Sequence, residues 1–100
     1  MDSINKGDIV EAVSGRDSGH LFFVLLEEDE FLILADGKHR RIEQPKRKKR
    51  KHVRYEATHP SRVTSKLMAA EKITNSELRS TLAQYVKSRD NPDDQTTDGG

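Results

Sequence analysis

GDIVEAVSGRDSGHLFFVLLEEDEFLILADGK, residues 7–38, decides the fold class of this chain. Three stretches rich in apolar, β-branched and aromatic residues, Gly7–Val13, His20–Leu26 and Phe31–Ala35, alternate with short polar segments, a spacing that predicts strands. Between the first two, Ser14-Gly15-Arg16-Asp17-Ser18-Gly19 sets two glycines four residues apart with Ser and Asp between them, the composition of a tight loop. Glu27–Glu30 predicts an acidic turn with solvated carboxylates. Asp36-Gly37 predicts a two-residue type I′ hairpin, with a return strand over Lys38–Gln44 that Pro45 ends, because proline cannot donate to a ladder. In Leu21–Leu26 both faces are apolar: Leu21, Phe23 and Leu25 point one way, Phe22, Val24 and Leu26 the other. A strand wetted on one side alternates, so a further layer must cover the second face.

The C-terminal third supplies that layer. Ser61–Glu71 predicts a short helix with Val63, Leu67 and Ala70 on one side. Thr74-Asn75-Ser76-Glu77 fits a capping box and opens a helix from Asn75 to about Ser88, whose stripe of Leu78, Leu82, Tyr85 and Val86 suits packing on the strands. Adding a fifth short strand over His52–Tyr55, the chain reads as mostly β with α. Residues 1–56 form a small barrel or strongly bent sheet with a basic loop at 45–52. Residues 57–88 form a helical segment packed on it, and the polar, acidic residues 89–100 a disordered tail.

Charge is distributed unevenly. Lys38–Arg54, KHRRIEQPKRKKRKHVR, holds ten of the eighteen Lys and Arg residues against one acid, Glu43, a formal +9 in a chain that nets +1. Residues 1–37 carry −7 and residues 55–100 carry −1. A block of this density is the footprint of a polyanion partner, nucleic acid being the commonest; like-charge repulsion predicts that it is mobile in the free protein. The rest of the composition bounds the class. One hundred residues at 32% apolar content make one small domain. The absence of cysteine excludes disulfides and cysteine-based zinc sites and suits a reducing cytoplasm. MDSINKGDIV lacks the positive region and apolar run of a signal peptide, and Leu21–Leu26 is too short to span a bilayer, so a soluble cytoplasmic protein is expected.

GDIVEAVSGRDSGHLFFVLLEEDE also resembles the KOW motif, in which a strand, a glycine-containing loop and a second strand open an SH3-like barrel. The matching residues are Gly7, Ser14-Gly15-Arg16-Asp17, Gly19 and the apolar strand that follows. DGKHRRIEQPKRKKRKHV is similar to small bacterial KOW-domain RNA-binding proteins, relatives of archaeal and eukaryotic large-subunit ribosomal proteins, in which a D-G-K turn leads to a basic segment ending in Lys-His, here Lys51-His52. The resemblance covers Gly7–Val53 and, more loosely, the Thr74–Arg79 helix start. It implies an SH3-like barrel and non-catalytic binding of ribosomal or other structured RNA, without cofactor or metal. His20 stands where many relatives carry Lys, which leaves this loop with less fixed positive charge.

The RNA-binding candidates are Arg16, Lys38, Arg40, Arg41, Lys46, Arg47, Lys48, Lys49, Arg50, Lys51, His52 and Arg54. Lys46–Lys51 offers phosphate contacts without sequence readout. Arg16 either donates bidentately to a phosphate or guanine edge or pairs with neighbouring Asp17. Tyr55 either stacks on an unpaired base or fills the core, the commoner role for such an aromatic. Phe22, Phe23 and Phe31 read as core or helix-covered, not as stacking platforms. The four histidines, His20, His39, His52 and His59, lack metal-ligand spacing, and Gly15–Gly19 is neither a nucleophile elbow nor a Walker loop, so no enzyme, no cofactor and no small-molecule substrate are expected. The alternative to RNA is a protein-interaction module docking on the transcription or translation machinery through the basic run and the helices. DNA ranks third, because Asn75–Ser88 carries only Arg79 and Lys87 as cations.

Overall fold

Leu21–Leu26 has two apolar faces because two separate cores use them. A computed structural model describes residues 4–90. In chain order it contains β1 (Ile9–Ala12), β2 (Leu21–Glu28), β3 (Phe31–Ala35), β4 (Lys46–Lys49), a 3₁₀ turn (Arg50–His52), β5 (Val53–Ala57), α1 (Arg62–Met68) and α2 (Asn75–Asp90). The strands make one antiparallel sheet in the order β4-β3-β2-β1-β5. One face of β2 gives Phe22 and Val24 to a cluster with Ile4, Val10, Ala12, Leu32, Leu34 and Val53. The other gives Phe23 to a cluster with Ile9, Ala35, Val63, Leu67, Leu78 and Leu82, which the two helices cover. The expected second layer is therefore present, and the expected alternation holds as far as Leu25. There a register shift between Val24 and Leu26 ends it and leaves Leu26 46% exposed.

Of the two expected forms, a small barrel or a strongly bent sheet, the sheet is open and not a closed barrel. β4 and β5 are its two edges, and the pairing order includes no ladder between them. The chain passes from one edge to the other through the single 3₁₀ turn. Four Cα steps from Lys49 to Val53 reach at most about 14 Å. The edges therefore approach at one end, and Val53 from β5 shares a core with Leu32 and Leu34 from β3. The sheet is curled, helped by the shifts in β2–β3 and β1–β5, without being hydrogen-bonded shut.

The largest correction concerns the basic region. Lys38–Gln44 is not a return strand, and Lys46–Lys49 is not a loop. Asp36 Oδ1 accepts the amides of Lys38 and Arg40 at 2.9 and 2.8 Å, and the Arg40 carbonyl accepts those of Asp36 and Gly37 at 2.9 and 3.1 Å. This closes a compact loop instead of a two-residue hairpin. The Ile42 amide goes to Asn75 Oδ1 at 2.8 Å, so it too is lost to a ladder. Pro45 then precedes the first residue of β4, where its missing amide costs no ladder bond. Lys46–Lys49 pairs with Leu34–Phe31 in its place. The outer edge of the sheet is a row of four cations, a composition that discourages pairing with another chain.

Other boundaries moved for local reasons. β2 runs through Glu27 and Glu28, leaving Asp29-Glu30 as the turn, with Asp29 at φ +51°. α1 starts where Ser61 Oγ accepts the Thr64 amide at 3.2 Å. It stops at Met68, short of the expected Glu71. The Ala70 and Glu71 amides fold back to the Leu67 and Lys66 carbonyls at 3.2 and 2.8 Å, with Ala70 at φ +58°, a Schellman closure. Ala70 is consequently exposed, not on the packed face. The capping box of α2 forms as read: Thr74 N donates to Glu77 Oε1 at 2.9 Å, and Glu77 N to Thr74 Oγ1 at 3.1 Å. Arg89 and Asp90, expected in a disordered tail, continue the helix, and residues 91–100 lie outside the described part. Among the described residues no helix is long and apolar enough to cross a membrane.

A candidate nucleic-acid interface on the cationic edge

Strand alternation sorts the tract. Lys46 and Lys48 oppose Leu34 and Leu32 and are half-buried, their aliphatic stems alongside the inner core. Their ammonium groups reach the glycine loop. Lys48 Nζ donates to the Ser14 carbonyl at 2.9 Å, and Lys46 Nζ lies 4.0 Å from Asp17 Oδ2. The same Asp17 oxygen accepts Arg40 Nη2 at 3.2 Å, with Asp17 only 7% exposed. A nearly buried carboxylate in the Gly15–Gly19 loop thus gathers two cations from a segment more than twenty residues away. Arg16, its neighbour, is exposed and does not pair with it. Gly15 and Gly19 adopt φ +80° and +90°, which turns the loop without strain.

The other face of β4 is built differently. Arg47 and Lys49 are exposed and oppose Ile33 and Phe31. The Arg47 guanidinium lies over the Phe31 ring, 3.7 Å from its centroid, and donates to Glu28 Oε1 at 3.1 Å; Lys49 Nζ is 6.0 Å from the same ring. Phe31 is half-buried, a platform for cations and not a core residue as read from sequence. Glu27 and Glu28 are likewise not merely solvated, since they engage Arg50 and Arg47.

Arg50 turns inward. It donates to the Asp29 and Ile4 carbonyls at 2.6 and 3.0 Å and to Glu27 Oε1 at 3.0 Å, tying the 3₁₀ turn to the β2–β3 hairpin and the N-terminal segment. Lys51, next to it, is exposed with no side-chain partner among the described residues. The His52 carbonyl accepts the Val13 amide at 3.0 Å. Arg54 pairs with Glu11 on β1, which holds its guanidinium above the ordinary arginine value through that hydrogen bond. Arg41 sits 3.6 Å from Glu43, with both side chains well exposed. Lys38 is exposed on the 36–40 loop. Tyr55 is 46% exposed on β5, its hydroxyl 2.8 Å from Thr58 Oγ1, where a core position was the commoner expectation.

The structure therefore brings Arg40, Lys46, Lys48 and the Arg16 loop to one rim, sets Arg47 and Lys49 on the opposite face of β4, and gives Arg50 a scaffolding part. Five cations of the tract, Arg40, Lys46, Arg47, Arg50 and Arg54, meet carboxylates of the −7 N-terminal segment. The dipolar sequence folds back on itself. Arg16, Lys38 and Lys51 are left facing solvent without an acidic partner among the described residues. Cations so placed can donate to an anionic partner directly, whereas an exposed ion pair must first give up its carboxylate, at small net cost. Among the described residues no cluster of three His, Asp or Glu is placed to hold a metal ion.

No protein-family model matches the chain, and no curated protein matches it significantly.

Two contributors escaped the sequence reading. Phe31 lies in an apolar run, and only its register opposite Lys49 reveals its cationic cover. Asp17 was noticed only as a neighbour of Arg16, whereas its contacts with Arg40 and Lys46 are long-range.

Proposed function

We propose that this chain is a non-catalytic RNA-binding protein of the KOW type, cytoplasmic, acting on ribosomal or other structured RNA. The observation that carries the reading is the joining of a +9 tract to the glycine loop: Lys46 and Lys48 of an edge strand touch Asp17 and Ser14 beside an exposed Arg16. The resemblance of Gly7–Val53 to KOW sequences supports it. So does the strand order β4-β3-β2-β1-β5 with one 3₁₀ turn between the outer strands, an arrangement compatible with an SH3-like relationship. In this reading Lys46–Lys49, Lys51, Arg40 and Arg54 supply sequence-independent affinity, Arg50 holds the turn that presents them, and Arg16 and Lys38 flank the rim.

The test is the salt dependence of binding to a structured RNA. Replacing Lys46, Lys48, Lys49 and Lys51 by Gln, while keeping Arg50 for its scaffolding bonds, should flatten the plot of log K against log salt by about three units, from a slope of about 0.7 to 0.9 per phosphate contacted. An unchanged slope in a folded variant removes the edge strand from the interface.

A further inference from the structure

Beside the RNA-facing rim lies a second surface of different chemistry. An open-sided groove of about 790 Å³ runs between α2 and the 36–39 turn. Its floor is aliphatic: Leu21 from β2 and Leu82, Ala83 and Val86 from α2. Its margins carry Lys38 on the turn side and Arg79 and Lys87 on the helix side. His20 and His39, whose rings stack with centroids 4.9 Å apart, also line it. Among the described residues that line the groove the one acid is Asp36, which is buried and accepts the Lys38 and Arg40 amides, so its carboxylate is turned into the loop.

We propose that this groove docks a short acidic, amphipathic segment of a protein partner, with apolar side chains on the Leu21–Leu82–Val86 floor and Asp or Glu side chains against Lys38 and Lys87. Charge complementarity selects this occupant: an apolar floor between cationic margins fits apolar residues flanked by carboxylates. The stretch of α2 from Arg79 to Lys87 is about 12 Å long, room for about two turns of a docked helix. The alternatives fit worse. Residues 91–100, NPDDQTTDGG, carry three acids but nothing apolar for the floor. A second copy in a symmetric contact would set Lys87 and Arg79 against their own kind. Nucleobases stack on aromatic rings, and among the described lining residues the rings are those of the two histidines, already stacked on each other. The proposal does not rest on the RNA reading, because its floor and its helix-side margin lie outside the cationic edge.

The experiment is selection of a random peptide display library on the full chain, followed by titration of synthetic selected peptides into ¹⁵N-labelled protein. Enriched peptides should combine apolar residues with Asp or Glu and shift the amide signals of Leu82, Ala83, Val86 and Lys87. Ala83→Glu, on the exposed face of α2, should weaken them about tenfold or more. Lys87→Glu is a second variant, remote from the core, should Ala83→Glu perturb folding, and it should weaken them several-fold. The proposal is overturned by no enrichment over a control protein, by peptides lacking acids, or by shifts confined to residues 38–54. Affinities indifferent to both substitutions also overturn it. Self-association abolished by Ala83→Glu would assign the groove to a second copy, and tighter peptide binding after deletion of residues 91–100 would assign it to the tail; either replaces the proposal.

Discussion

The two halves of the basic tract carry the same kind of charge and are held by opposite means. Lys38–Gln44 has no strand pairing; its shape comes from Asp36, from the Arg40 carbonyl and from the start of α2, where Asn75 binds the Ile42 amide and the Glu43 carboxylate. Lys46–Arg54 is strand, 3₁₀ turn and strand, held by the ladders to β3 and β1. The first half depends on a helix more than thirty residues away, the second on its sheet neighbours. The denser half, with seven cations and no acid against three cations and Glu43, is the one in regular strands, so charge density by itself does not set order. The run Lys46–Lys49, expected as a loop, is a regular strand whose ladder bonds and neighbouring carboxylates Asp17 and Glu28 counter the like-charge repulsion; low amide order parameters there would show the expected mobility.

Gly37 is the sharpest place to break the first half alone. It sits at φ +80°, and a Cβ there would overlap the Asn75 carbonyl oxygen. Gly37→Ala should destabilise the protein by about 3 kcal/mol, combining left-handed strain with overpacking. Urea denaturation measures this. If the halves are independently held, amide exchange should accelerate at Ile42 well before it does at Lys46–Lys49. Equal acceleration would show one cooperative unit.

Within the second half, Arg50 and Lys51 are adjacent and should behave as opposites. Arg50→Met removes three donors to Asp29, Ile4 and Glu27 and should cost about 2 kcal/mol, hydrogen bonds to charged groups being the stronger kind. Lys51→Met should change stability by less than about 0.5 kcal/mol, as surface substitutions do. Under the proposed RNA-binding function the order reverses, with Lys51→Met lowering the salt slope and Arg50→Met acting through folding. A stability loss at Lys51 equal to that at Arg50 would erase the distinction.

Asn75 returns to the first half with a smaller effect. It is 8% exposed, and its side chain serves Ile42 and Glu43 at once, the hydrogen bond holding the Glu43 carboxyl below its ordinary range. Asn75→Ala should cost about 1.5 kcal/mol, because the Ile42 amide loses its acceptor. Faster exchange at Ile42 with β4 unchanged is the expected signature.

The sequence made the sheet and the packed helices legible because both rest on periodicity. Phe22 and Phe23 on opposite faces of β2, and the Thr74–Glu77 box, are local signals that tertiary contacts reinforce. The region from 36 to 54 was misread because its deciding partners are remote. Asp36-Gly37 is a hairpin signal on its own, yet Asn75 and Arg79 dock onto the segment, Arg79 Nη1 donating to the Gly37 carbonyl at 2.7 Å. Lys-Arg-Lys-Lys has poor strand propensity, and only an apolar β3 with a vacant edge makes it a strand. The candidate site was legible as charge and illegible as geometry, since Asp17 and Phe31 reveal their partners only through topology.

The far end of α2 clamps the second half through β5, and its pH dependence is the finest test of that attachment. The Tyr85 hydroxyl donates to Glu56 Oε2 at 2.6 Å, and Arg89 Nη1 donates to the same oxygen at 3.1 Å. Burial, and then the Glu56 carboxylate, push the Tyr85 hydroxyl from 10.0 up to about 12, while the Tyr85 hydrogen bond leads in lowering Glu56 below its ordinary 4.5. A raised tyrosine favours the protonated folded state, so its contribution is full below pH 10 and lost as pH rises towards about 12. A lowered carboxylate contributes above pH 4.5, and that contribution is lost as pH falls through its folded value. Tyr85→Phe should therefore cost about 1 kcal/mol across the neutral range. The gap to the parent protein should close in alkali as Tyr85 ionises. In acid it should narrow as Glu56 is protonated, since only the Tyr85 share of the Glu56 shift differs between the two proteins and the Arg89 share is common to both. Denaturation midpoints of both proteins across that range decide it: a gap that stays constant as pH rises from 10 towards 12 would mean that the stability lost in Tyr85→Phe does not depend on the protonated hydroxyl donating to Glu56.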